Sequence, residues 1–187
     1  MRVKLIGAMA LTGLLAGGGV MAQQAAPQLV LSSSAFTDGG NIQKPYVCED
    51  SKNFSRHSLP LSWTGAPEGT KSFALTMHDT DVHVRKAAAP AMHWMIFNIP
   101  GTANKLAENL PLDAQLSDGS RQTKSVIGQP GYMGPCPPPG KPHHYVLELY
   151  ALDAVLEVPP EGTRDDVLKA MDGHVLSSGV MVGAVSK

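Results

Sequence analysis

The 187-residue chain carries a formal net charge of −1, with 17% charged and 43% hydrophobic residues. This balance excludes the broad basic field that nucleic acid or an anionic membrane surface would require, so any recognition of an anion has to be local. No internal repeat, charge block or second composition regime divides the chain, and the apolar share is enough for one substantial core.

In chain order, Met1-Arg2-Val3-Lys4 is basic, Leu5 to Met21 carry no charge, and Val20-Met21-Ala22 precede the polar pair Gln23-Gln24. A basic start, an apolar run and a small-residue end predict an export signal, residues 1–22, cleaved after Ala22. Gly7, Gly13 and Gly17-Gly18-Gly19 make the run a poor permanent span, so no integral membrane segment is expected after cleavage. Residues 23–187 then form a single domain that is periplasmic or secreted. Cys48 and Cys136 are the two cysteines. An even count in an oxidising compartment favours a disulfide over catalytic or metal-binding thiols, since neither belongs to a C-x-x-C pair. Closing such a loop contributes about 4 kcal/mol in the chain-entropy treatment.

Short apolar runs rich in β-branched and aromatic residues predict strands at Leu29–Leu31, Ser72–Met77, Trp94–Ile99 and Tyr145–Leu152. Several lack strict alternation, as strands buried on both faces do. One helix is expected near the end: Thr163 caps it, Asp165 and Asp166 suit the positive end of its dipole, Val167 to Met171 supply an apolar face, and Gly173 stops it. Val175-Leu176 and Val180–Val185 read as closing strand material. With 19 glycines and 15 prolines marking many turns, the fold class is mainly β, a β-sandwich or Greek-key-like arrangement with few short peripheral helices.

Three segments concentrate chemistry. His78-Asp79-Thr80-Asp81-Val82-His83 follows a predicted strand and gathers two carboxylates and two imidazoles, which are costly there unless solvated, paired or used. His93-Trp94 opens the next strand. Gly131 to Tyr145 is a stiff proline-rich loop that delivers His143, His144 and Tyr145 into a strand. Singly, each has a plain structural explanation, an Asx-turn for Asp79 or Asp81 and a hydrogen-bonded core histidine for His93. Their joint occurrence is the informative feature.

Together these segments resemble the phosphatidylethanolamine-binding protein family, also called Raf-kinase-inhibitor-like, in its exported bacterial branch. Ser58 to Trp63 is similar to the family's S-P-x-L-x-W segment, Gly69 to Leu75 to its G-T-K-S-F-A-L strand, Asn98-Ile99-Pro100 to its N-I-P, and Ala170 to Leu176 to its A-M-x-G-H-V-L element. The resemblance spans residues 29 to 185. It implies one pocket for phosphate, acetate or a phospholipid head group, with no cofactor and no metal. Carried over by motif, the ligand-binding set is Asp79, Asp81, His93, Gly134, Pro138, His143 and Tyr145. In this set Gly134 offers its backbone to the anion, Asp81 braces the loop and Pro138 forms wall. It also implies that a Cys48–Cys136 bridge tethers the ligand loop itself. The chain departs from the family pattern at Thr80, Val82-His83, Ala91, His144, and Arg56-His57. His144 replaces a permanent guanidinium with a group that titrates near neutrality, and the departures together point to an altered ligand preference.

The expected function is therefore a non-enzymatic binding protein for a small anionic ligand, with a protein partner to modulate and a homodimer allowed by the resemblance. Two alternatives follow from the same residues. His93, His143 and Asp79 are ligand types of a metal-dependent enzyme, although no H-x-H or H-E-x-x-H spacing is present. An exported inhibitor of a protease or another partner protein is the other. No G-x-S-x-G elbow supports serine hydrolysis.

Overall fold

A computed structural model describes residues 28–50, 53–83 and 90–187. The predicted export signal and its cleavage point lie outside the described residues. Among the described residues, no helix is long and apolar enough to cross a membrane.

Two antiparallel sheets build the domain. The smaller has three strands, β1 (Val30–Ser33), β2 (Leu61–Thr64) and β5 (Lys105–Leu106), in the order β1-β2-β5. The larger has β3 (Ser72–His83), β4 (Pro90–Pro100), β6 (Arg121–Gln122), β7 (His143–Leu152) and β8 (Val175–Val185), in the order β6-β4-β3-β7-β8. Leu31, Leu61, Trp63 and Leu106 of the small sheet pack on Phe73, Leu75, Met77, Trp94, Ile96, Leu147 and Leu149 of the large one. The Trp63 and Phe73 rings lie 5.1 Å apart across that interface. The opposite face of the large sheet is covered by α1 (Arg164–Met171), whose Val167 and Met171 join Ala74, Met95 and Phe97 in a second core cluster. Covering on both sides is why β3 and β4 read as continuous apolar runs.

The helix forms where the sequence places it. The Thr163 side chain accepts the Asp166 amide N–H, and Asp166 accepts from the Thr163 backbone N–H in a capping box. Gly173, at φ +80°, follows its last turn.

The sequence reading misses three strands and shortens others. β5 and β6 have two residues each, too few to carry a period. β2 alternates buried and exposed over four residues between Pro60 and Gly65, and only its motif is visible in the sequence. β3 does not stop at Met77 but continues through His83, and β4 begins at Pro90, before His93. Polar side chains past Met77 resemble a loop, yet their backbone stays paired to β7, with His78 opposite Val146 and Asp79 opposite Tyr145. β8 is one strand that runs through Gly179, opposite Leu149.

Gly179 is required by close approach. A Cβ there would lie 2.5 Å from the Leu29 carbonyl oxygen. Gly179→Ala is therefore expected to destabilise the protein by about 1–3 kcal/mol in denaturant unfolding, although alanine alone would otherwise favour the strand over glycine.

Candidate ligand pocket

Strand geometry explains how the predicted residues meet. His143, Tyr145, Leu147 and Leu149 alternate along β7, so all four face the same side. Met77 and Asp79 share the corresponding side of β3. Toward this end of the large sheet the small sheet no longer supplies cover, and polar side chains replace apolar ones. His93 reaches the same place by an irregularity. Met77 pairs with Trp94 whereas His78 pairs with Met92, which leaves His93 as the extra residue of a β-bulge that re-aims its side chain. Its ring stands edge-on to Tyr145, with centroids 5.1 Å apart.

The result is a cavity of about 210 Å³ lined on its polar side by Asp79, His93, His143 and Tyr145, and on the other by Met133, Cys136, Pro137 and Pro138. Asp79 is 2% exposed. Its Oδ2 accepts from His143 Nδ1 at 2.8 Å, and its Oδ1 accepts the Asp81 amide N–H at 2.9 Å. His93 Nδ1 lies 2.9 Å from the Met133 carbonyl oxygen and must donate to it, so in the neutral ring Nε2 carries the lone pair. Burial pushes the His93 pKa down, opposed by the Met133 carbonyl and the Asp79 charge. The Tyr145 hydroxyl is buried and makes no hydrogen bond of good geometry. Burial first, then the nearby Asp79 carboxylate, pushes its pKa well up and keeps it a neutral donor.

The proline-rich loop is fastened at several points. Cys48 and Cys136 form a disulfide, the Cys48 amide donates to Pro135 O at 2.9 Å, and the Tyr132 hydroxyl donates to Tyr46 O at 2.9 Å. Pro138 stands in the cavity wall. One other residue sits differently from its carried-over role. Gly134 does not present a free amide to the cavity, because its N–H donates to Ser55 O at 2.8 Å. It has to be glycine for another reason: a Cβ there would lie 2.5 Å from Tyr46 O. Asp81 lies outside the cavity, where its Oδ2 accepts the His144 amide N–H at 2.7 Å and faces His144 Nδ1 at 3.0 Å. These bonds hold its carboxyl below the usual range, the His144 backbone first. It fastens β3 to β7 beside the site.

The rim was not legible in the sequence. Phe54, Val82, Ala91, Val126 and Ile127 complete the cavity, and Val82, Val126 and Ile127 are 37%, 44% and 38% exposed. They come from separate segments with no shared motif. Among the described residues no serine, threonine or lysine lines the cavity, and its cysteine is bonded. The candidate metal donors of the sequence reading are engaged within the protein. Asp79 and His143 face each other, His93 is tied to Met133, and among the described residues no group of three or more His, Cys, Asp or Glu is placed to hold an ion.

A sandwich with a small acid-and-imidazole cavity at one end of its larger sheet defines a ligand-binding class of protein. The chain belongs to the phosphatidylethanolamine-binding protein family, whose sequence profile matches residues 32–186. A UPF0098 protein of Methanothermobacter thermautotrophicus is 45% identical over 156 residues, covering 82% of this chain and 95% of that protein. Among solved structures, a phosphatidylethanolamine-binding protein homologue from Chlamydia trachomatis aligns with TM-score 0.74 at 33% identity, covering 86% of this chain and 99% of that one. Escherichia coli YbcL aligns with TM-score 0.72 at 26% identity, with the same coverage.

Proposed function

We propose that this protein is an exported binding protein for a small anion, of the size of phosphate, acetate or a phosphorylated head group, and that it works by occupancy, modulating a partner, without turning the ligand over. The observation that carries the reading is the convergence of the Asp79–His143 pair, His93 and the Tyr145 hydroxyl on one cavity. The Tyr145 hydroxyl lies beside the Asp79 carboxylate and the Cys136 backbone without completing a hydrogen bond of good geometry to either, and a ligand oxygen in the cavity supplies one. The volume sets the ligand class. About 210 Å³ is below the roughly 300–1,000 Å³ of sites for drug-sized molecules, so a compact head group fits and a large one does not. Export rests on the basic and apolar start of the chain.

Titration with phosphate and with phosphoethanolamine is expected to shift the imidazole resonances of His93 and His143. Absence of any shift at millimolar ligand sinks the reading. Tyr145→Phe adds a sharper signature. The empty protein should be as stable as the parent or slightly more stable, while phosphate affinity falls by about fivefold to tenfold. A purely structural hydroxyl would move stability and leave affinity alone.

A further inference from the structure

Arg56 stands at one of the positions where the chain departs from the family pattern, and the pocket described above does not use it. Its Nη2 donates to the Pro130 carbonyl oxygen, but its Nη1 is buried with no partner. Burial also pulls its pKa down, as expected of a cation short of solvent and counter-charge. The side chain lines a depression of about 440 Å³ together with Asn53, Phe54, Leu112, Ile127 and Gln129. No carboxylate is among those lining residues. Phe54 and Ile127 line both this depression and the Asp79–His143 cavity, so an apolar saddle joins the two. One end therefore holds imidazoles and a phenol, the middle is a phenyl and an aliphatic side chain, and the far end is a guanidinium with an unfilled N–H.

We infer that Arg56 is a second anchor for the ligand. The site then takes an elongated dianion whose first acidic group enters the Asp79–His143–Tyr145 cavity, whose apolar body crosses Phe54 and Ile127, and whose second acidic group bonds Arg56. The inference rests on the anion-binding reading of the cavity and extends it by a substrate class. A guanidinium is suited to that role because its planar fork can keep Pro130 O on one nitrogen and take a carboxylate oxygen on the other. A fixed cation at the far end also selects against ligands with an apolar end, which would leave the N–H enclosed and unpaired.

Linear α,ω-dicarboxylates of increasing length, each compared with the monocarboxylate of equal length, test this by calorimetric titration of the whole protein. One chain length is expected to bind about tenfold tighter than its monocarboxylate partner, the gain of one charge-assisted hydrogen bond. Arg56→Gln should erase that gap, and Arg56→Lys, which keeps the charge without the fork, should retain only part of it. Phosphate titration of each protein reports whether the cavity itself is formed. If phosphate binds and no dicarboxylate exceeds its partner, Arg56 is no anchor, and the cavity reading survives. A gap that persists in Arg56→Gln also overturns the inference. If neither phosphate nor any carboxylate binds, the cavity reading fails and the second anchor falls with it.

Discussion

Replacing Cys48 and Cys136 together by alanine is expected to lower the unfolding free energy by about 4 kcal/mol, the entropy regained by an unfolded chain freed from a closed loop. The two residues are 88 positions apart, so the bridge restrains much of the denatured domain. Against a typical total of roughly 5–15 kcal/mol, that is a large share. Guanidinium unfolding of the double variant beside the parent measures it, and a loss below about 1 kcal/mol would show that the denatured chain is little constrained by the bond. A second consequence is local. Cys136 lies in the cavity wall next to Pro137 and Pro138, while Cys48 is 2% exposed and donates its amide to Pro135 O. Without the bond, that wall of the cavity is held only by hydrogen bonds, among them those to Pro135 O, Ser55 O, Tyr46 O and His93 O, so phosphate affinity should fall in the same variant while the long strands keep their circular dichroism. Reducing the parent protein with a dithiol should reproduce both losses.

How much of this was readable from the sequence depends on what local signal each feature leaves. The long strands β3, β4, β7 and β8 announce themselves as apolar runs between glycines and prolines, and Thr163 with Asp166 announces α1. β5 and β6 announce nothing, because two residues have no period and exist as strands only through their partners. Asp79, His143 and Tyr145 meet because β3 and β7 pair in a register that sets Asp79 opposite Tyr145. Their convergence could be anticipated from family motifs but not from spacing. His93 is a harder case. Strict alternation would turn it away from Trp94's side, and only the bulge opposite Met77 and His78 brings it in. Gly134 shows a right residue with a different reason: the position excludes a side chain because Tyr46 O is close, and its amide is already engaged. Arg56 shows the reverse, a departure visible in the sequence whose meaning depends on which depression it lines.

Anion affinity is expected to rise as pH falls, through His93. Burial is the first cause of its lowered pKa, so the free protein holds the ring neutral at pH 7, with the lone pair on Nε2. That nitrogen accepts, and an anion needs donors. An anion in the cavity favours the imidazolium, so binding takes up a proton in the window between the lowered pKa of the free site and the higher pKa of the complex. Within that window affinity changes by at most about tenfold per pH unit, and below it affinity levels off. Sulfate is the suitable probe, because its charge is fixed across about pH 5 to 8, where histidine titrates. The groups facing His93 are Asp79, His143 and Tyr145. Tyr145 stays neutral throughout, since its pKa is pushed up. His93→Asn should remove the slope that His93 supplies. Stability follows the same group with its own sign. Because the folded value lies below the ordinary 6.5, the unfolded chain binds this proton more readily, and the His93 contribution to stability declines as pH drops below 6.5 until the folded pKa is passed. Bound sulfate should offset that decline, since the anion returns the proton to the folded side. If sulfate affinity proves flat across the whole range, protonation of His93 plays no part in holding the anion, and His93 serves only to hold the Met133 carbonyl in place.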